Sequence, residues 1–201
     1  MKQKKSEGPR MVRFGARAAV LGACLCMAAC AIRPTAPEPR HLTLASPSHA
    51  DNDMLSRRYA GKLATNPNCV GDNLSPALAW TRVPAGTRSF AIVLDDQAGR
   101  AGLGVNHWTA YGIPASVGGL AEGEASAPSK VFVHGKNTGG AAAYLGPCPP
   151  QGNAPQHYVF TLIATKLAPD ALPPGLSRTE LMQALQGQTL GAASFVLRFS
   201  H

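Results

Sequence analysis

The alternation of apolar and polar positions divides the chain into short runs separated by Gly, Pro, Asn and Asp. "RSFAIVLDD" (Arg88 to Asp96) is apolar at consecutive positions. Both faces of such a strand are buried, so it belongs in the middle of a sheet. "NHWTAYGIP" (Asn106 to Pro114) predicts a second strand and "KVFVHG" (Lys130 to Gly135) a weaker third. "HYVFTLIATK" (His157 to Lys166) carries the strongest strand signal, and "ASFVLRF" near the C-terminus alternates as a final strand. Between the last two lies one well-signalled helix. Ser177 and Glu180 have the spacing of a capping box, Leu181, Met182 and Leu185 make one apolar face, and Gly187 suits the stop. Strands of 5 to 9 residues punctuated by turns predict a mainly β fold. The expected architecture is an antiparallel, sandwich-like domain with a C-terminal helix.

The ends of the chain change this picture. "MKQKKSEGPRMVRFGAR" is basic and "AAVLGACLCMAAC" is small and apolar, the order of a signal peptide. The apolar run is about 12 residues, short of the roughly 20 that span a bilayer. Met11 is an alternative start to Met1. "MAAC" has the look of a bacterial lipobox ending in Cys30, with an ordinary signal peptide or a retained anchor as the alternatives. "LGAC" before Cys24 fits locally but leaves too short an apolar region. From Ala31 to about Ala50 four prolines and no clear periodicity read as a tether. The expected division is a signal peptide over 1–29, a lipid-anchored Pro-rich tether over 30–55 and the folded domain over 56–201.

Charge and cysteines follow that division. Residues 1–29 hold six of the 19 Lys and Arg and one of the 11 Asp and Glu. The remainder has 13 basic and 10 acidic residues, a net +3 against +8 for the whole chain. The basic character is mostly that of an export signal and is no argument for nucleic-acid binding. Cys24 and Cys26 leave with the signal, and Cys30 is the lipidation candidate. Cys69 and Cys148 remain, either as a disulfide in an oxidising compartment or as two separate buried thiols. G-x-S-x-G, H-E-x-x-H, a complete P-loop and zinc-ligand spacing are all absent, and no cofactor is expected. Three polar groups stand at strand ends: Asp96, His107 and Tyr158. A buried carboxylate beside an imidazole can hold the ring protonated, and a tyrosine hydroxyl can donate to an anion. Taken by themselves such groups more often make structural hydrogen bonds.

Four segments occur in order: "CVGDNLSPALAW", "PAGTRSFAIVLDD", "HWTAYGIP" and "GPCPPQGNAPQHYVFTLIA". Together they resemble the phosphatidylethanolamine-binding protein family, in its bacterial branch related to Raf kinase inhibitor proteins. The resemblance covers Cys69 to Lys166, about half the chain. It implies a β-rich fold with a small pocket for phosphate, acetate or a phosphorylated headgroup. Carried over, the pocket residues are Asp96, His107 and Tyr158, with the loop Gly146 to Gly152, including Cys148 and Pro149, as one wall. Two departures stand out. The family's "DPDAP" is "DDQAG" here, and either Asp96 or Asp95 can take the place of its first Asp. Its second pocket histidine aligns with Gln156, and strand alternation turns His157 to the opposite face. Glutamine donates without carrying charge, so phosphate binding is expected to be weaker by roughly 1 kcal/mol than in a two-histidine pocket.

The functional expectation is an exported, lipid-anchored, non-enzymatic binding protein of the bacterial cell envelope. Its partners would be a small anion or phosphorylated headgroup, the membrane through the anchor, and an envelope protein, with no nucleic acid. Two alternatives stand beside it. One is a hydrolase with His107 as base and Asp96 as its orienter. The other is an inhibitor of a protease or other enzyme acting by protein contact.

Overall fold

The computed structural model describes residues 41–201. The signal segment, Cys30 and the first part of the expected tether lie outside the described residues. Among the described residues nine strands form two sheets. The strands are β1 (Thr43–Ala45), β2 (Asp53–Met54), β3 (Leu78–Thr81), β4 (Ser89–Asp96), β5 (Val105–Pro114), β6 (Gly119–Leu120), β7 (Val133–Gly135), β8 (Gln156–Thr165) and β9 (Thr189–Phe199). The small sheet has the order β1-β3-β6 and the large one β2-β9-β8-β4-β5-β7.

The uninterrupted apolar run of β4 has the expected consequence. It lies between β5 and β8, and all eight of its residues are buried. One face of the large sheet carries Phe90, Ile92, Leu94, Trp108, Phe160 and Leu162 into the main core, where Leu44, Leu78 and Trp80 of the small sheet meet them. The other face carries Ala91, Val93, Tyr111 and Ile163 under Leu181 and Leu185 of the C-terminal helix (Arg178–Ala184). That helix begins with the predicted capping box: Ser177 accepts from the Glu180 amide, and the Glu180 carboxylate accepts from the Ser177 amide.

One expectation needs correction. The tether does not run to residue 55. Leu42, Leu44 and Leu55 are buried in the main core, β1 pairs with β3, and β2 pairs with β9. The folded domain has therefore begun by Leu42. These strands are two or three residues long, too short for periodicity to mark them. Pairing within the sheets is antiparallel as expected, with the two-residue edge strand β2 alone among the described strands lying parallel, against β9.

Candidate anion-binding site

The site is built where three neighbouring strands end. Asp96 closes β4, opposite Tyr158 on β8 and Val105 on β5. Strand alternation places Asp96 on the same face as Leu94 and Ile92, and Tyr158 and Gln156 on the same face as Phe160. For β5 simple alternation would turn His107 away from this face, because Trp108 points into the main core. The register resolves the conflict. Leu94 pairs with Trp108 but the next residue, Asp95, pairs with Asn106, so His107 is an extra residue in β5. Such a bulge re-aims one side chain. His107 thereby joins the pocket, its ring 5.2 Å from that of Tyr158 and edge-on to it. The cavity is about 460 Å³ and is lined by Asp96, His107, Cys148, Pro149, Gln156 and Tyr158, the six residues expected from the sequence.

The register also decides between the two aspartates. Asp95 faces the opposite side of the sheet, where it accepts from Asn106 Nδ2 at 3.0 Å and from Arg178 Nε at 2.8 Å. His157 is exposed and Gln156 is buried beside Tyr158, whose hydroxyl donates to Gln156 Oε1 at 3.3 Å. The glutamine occupies the pocket and the histidine does not.

One wall is a strap running from Tyr144 to Cys148. Leu145 donates its amide to the His107 carbonyl at 3.1 Å, and the His107 ring returns the contact from Nδ1 to the Leu145 carbonyl at 2.9 Å. A carbonyl only accepts, so Nδ1 carries the proton and Nε2 is the ring nitrogen left for a ligand. Asn73 pins the strap from behind, accepting from Gly146 N at 2.8 Å and donating to the Tyr144 carbonyl at 3.2 Å. Gly146 passes so close to the Tyr59 carbonyl that a Cβ would overlap it. The disulfide Cys69–Cys148, with Cα atoms 4.7 Å apart, fastens the strap to the loop bearing Asn66 and Asn68. The rim between β4 and β5 is the turn that follows Asp96. There Ala98 and Gly99 donate their amides to Asp96 Oδ1 at 2.9 and 3.1 Å. Arg100 and Ala101 follow in the left-handed region, at φ 52° and 58°.

Burial governs the electrostatics. It raises the Asp96 carboxyl above its ordinary range, partly opposed by the two turn amides and by His107. It also lowers the His107 imidazole, although the Leu145 carbonyl and Asp96 both favour the charged ring. Desolvation thus outweighs the Asp96 carboxylate and moves the ring toward its neutral form. Burial, followed by the nearby Asp96 charge, raises the Tyr158 phenol far above its usual value, so it stays a donor at any physiological pH.

Sequence reasoning did not single out Asn66, Asn68, Arg100 or Asn153, which also line the cavity. The cluster "NPNC" before Cys69 was the available signal for the asparagines. Arg100 had none, because its direction depends on the left-handed turn. Among the described residues no group of three or more His, Cys, Asp or Glu is placed to hold a metal ion.

Comparison with known proteins agrees with this architecture. The sequence profile described as phosphatidylethanolamine-binding protein matches residues 45–200. The candidate lipoprotein LppC of Mycobacterium tuberculosis is 36% identical over 164 residues, 82% of this chain and 75% of that protein. A UPF0098 protein of Methanothermobacter thermautotrophicus is 34% identical over 151 residues, 74% of this chain and 93% of that protein. The crystal structure of Escherichia coli YbcL, described as a new member of the mammalian PEBP family, superposes with a TM-score of 0.71 at 28% identity. It covers 80% of this chain and 99% of YbcL.

Proposed function

This chain belongs to the phosphatidylethanolamine-binding protein family, and from that premise we propose that it is a non-enzymatic binding protein for a small anion or phosphorylated headgroup. The observation that carries the reading is the convergence of Asp96, His107 and Tyr158 on one walled cavity, with His107 Nδ1 held by the Leu145 carbonyl and Tyr158 a permanent donor. An entering anion accepts from the Gln156 amide and from the Tyr158 hydroxyl, which leaves its long contact with Gln156 Oε1 to do so. It also draws a proton onto His107, since a negative charge at Nε2 restores the charged ring that burial disfavours. The bulge and the strap hold these donors in place before the ligand arrives, which lowers the cost of ordering them on binding.

The envelope setting is part of the same proposal. A lipid on Cys30 would hold the domain at a membrane surface, with LppC as the relative whose name points the same way. An envelope protein partner would be met there. The hydrolase alternative loses one of its supports: the His107 Nδ1 proton is taken by the Leu145 carbonyl, which leaves Asp96 without the orienting role that reading gave it.

Titration calorimetry with inorganic phosphate and with phosphoethanolamine tests the pocket. The native chain is expected to bind both, and His107→Ala to bind neither while keeping the native circular dichroism spectrum. Unchanged affinity in the variant removes the assignment. Turnover of phosphoester or ester substrates that vanishes in His107→Ala would favour the hydrolase instead.

A further inference from the structure

On the opposite face of the large sheet lies a second cleft, of about 500 Å³, which the anion pocket does not use. The two are back to back. Asp96 turns into the first and Asp95 into the second, and the segment from Gln97 to Val105 forms a partition between them. In the second cleft Asp95 is nearly buried and fully engaged by Asn106 and by Arg178 Nε. That ion pair holds the guanidinium by one nitrogen. Its two terminal nitrogens have no partner among the described residues. Lys136 lines the same cleft with an ammonium that donates to no hydrogen-bond partner among the described residues, and Gln97 and Thr179 add a side-chain amide and hydroxyl that likewise have none among them. Leu103, 81% exposed, and Val105 supply an apolar side.

We propose that this second cleft binds a carboxylate flanked by an amide, the chemistry of a peptide chain end or an acylated amino acid. A guanidinium fixed through Nε presents a planar pair of N–H donors that matches a carboxylate. Lys136 adds a second cation. The charge balance argues against a phosphate dianion. Asp95 offsets Arg178, so the net positive charge of the cleft is that of Lys136. A singly charged group with polar neighbours suits that balance better. The Gln97 amide and Thr179 hydroxyl suit the adjoining peptide unit, and Leu103 with Val105 suits a small apolar side chain. The reading is independent of the anion pocket, because the two clefts share only Val105 among their lining residues.

The test uses the full chain and N-acetyl-Ala-Ala with a free carboxylate, against the same dipeptide with a C-terminal amide. Calorimetry is expected to show saturable binding of the acid and none of the amide. Lys136→Gln is expected to weaken the acid at least fivefold and Arg178→Lys to weaken it further. The Lys136 side chain makes no structural hydrogen bond, so its variant keeps the fold even if Arg178→Lys does not. His107→Ala, which removes the first pocket, should leave this binding unchanged. Equal binding of acid and amide, no saturable binding, indifference to Lys136→Gln, or loss in His107→Ala would each overturn the proposal. A longer peptide with the same ending that binds more tightly assigns the site to chain ends, and equal affinity assigns it to small acylated amino acids.

Discussion

Gln156 and Asp96 are the residues on which the chemistry of the first pocket turns. At 156 a neutral amide stands where the resemblance places a second histidine, buried against Tyr158. Gln156→His is therefore expected to tighten phosphate binding at pH 6 by about fivefold, the equivalent of roughly 1 kcal/mol, and less at pH 8 where the new ring is neutral. Calorimetry at the two pH values checks it. Asp96 has a raised carboxyl, so the folded state holds its proton more tightly than the unfolded chain does. Its stabilising contribution is full in acid and is lost as pH rises through the folded value. Asp96→Asn keeps an oxygen for the Ala98 and Gly99 amides and carries no charge. Its Tm is expected to exceed that of the native protein at pH 7, with the gain shrinking toward pH 3; a lower Tm at pH 7 would contradict the burial argument. For His107 the sign is opposite. The lowered ring contributes stability above the unfolded value near 6.5, lost as pH falls through it toward the folded value. Binding reverses that shift. Sulfate, whose charge is constant between about pH 5 and 8, should bind more tightly as pH falls and with proton uptake, visible as a dependence of the heat on buffer ionisation.

Between residues and the whole fold stand two elements, the bulge in β5 and the strap from Tyr144 to Cys148. Both were legible only in part. The strand over 106–114 followed from its apolar run, yet the bulge that turns His107 into the pocket is a property of the pairing with β4, and no single strand encodes it. The strap's proline-rich composition announced a fixed loop. Its attachment through Asn73, 73 residues away from Gly146, depends on the closed fold. The disulfide is the strap's covalent fastening, and its half-cystines are 79 residues apart. Loop-entropy reasoning gives it about 4 kcal/mol. The Cys69→Ser, Cys148→Ser double variant is expected to lose stability of that order in urea unfolding and to bind phosphate more weakly, because the wall beside His107 is no longer tied to the loop of Asn66 and Asn68. Unaltered affinity in a folded double variant would mean that the hydrogen bonds of Asn73 and Leu145 position the wall without help.

For the molecule as a whole, the boundary of the folded domain matters most. A chain lacking residues 1–40 keeps Leu42, Leu44 and Leu55 and is expected to fold. A chain starting at residue 56 loses all three, together with β1 and β2. Burial of a leucine stabilises by about 2 kcal/mol, so their removal takes away roughly 6 kcal/mol, comparable with the whole stability of an ordinary domain. The shorter chain is expected to be unfolded by circular dichroism, and a native spectrum would show that the first two strands are dispensable. The proposed membrane attachment is a separate question that concerns the N-terminal segment. Cys30→Ser is expected to release the protein from membranes and abolish acyl labelling, and persistent retention with labelling would point to another anchor.

The sequence by itself determined what depends on near neighbours in the chain. Apolar runs marked β4, β5 and β8, alternation marked the end of β9, spacing marked the capping box, and period-two geometry put Gln156 and Tyr158 on one face with His157 on the other. Ordered motifs pointed to Asp96, His107 and Tyr158 and to the family. Tertiary structure alone decided what depends on pairing and burial. The register chose Asp96 over Asp95, and the bulge brought His107 to the pocket side. Closure of the two sheets gathered β1 and β2 into the core. Desolvation, which no local pattern reports, biases the imidazole toward its neutral form against the carboxylate beside it.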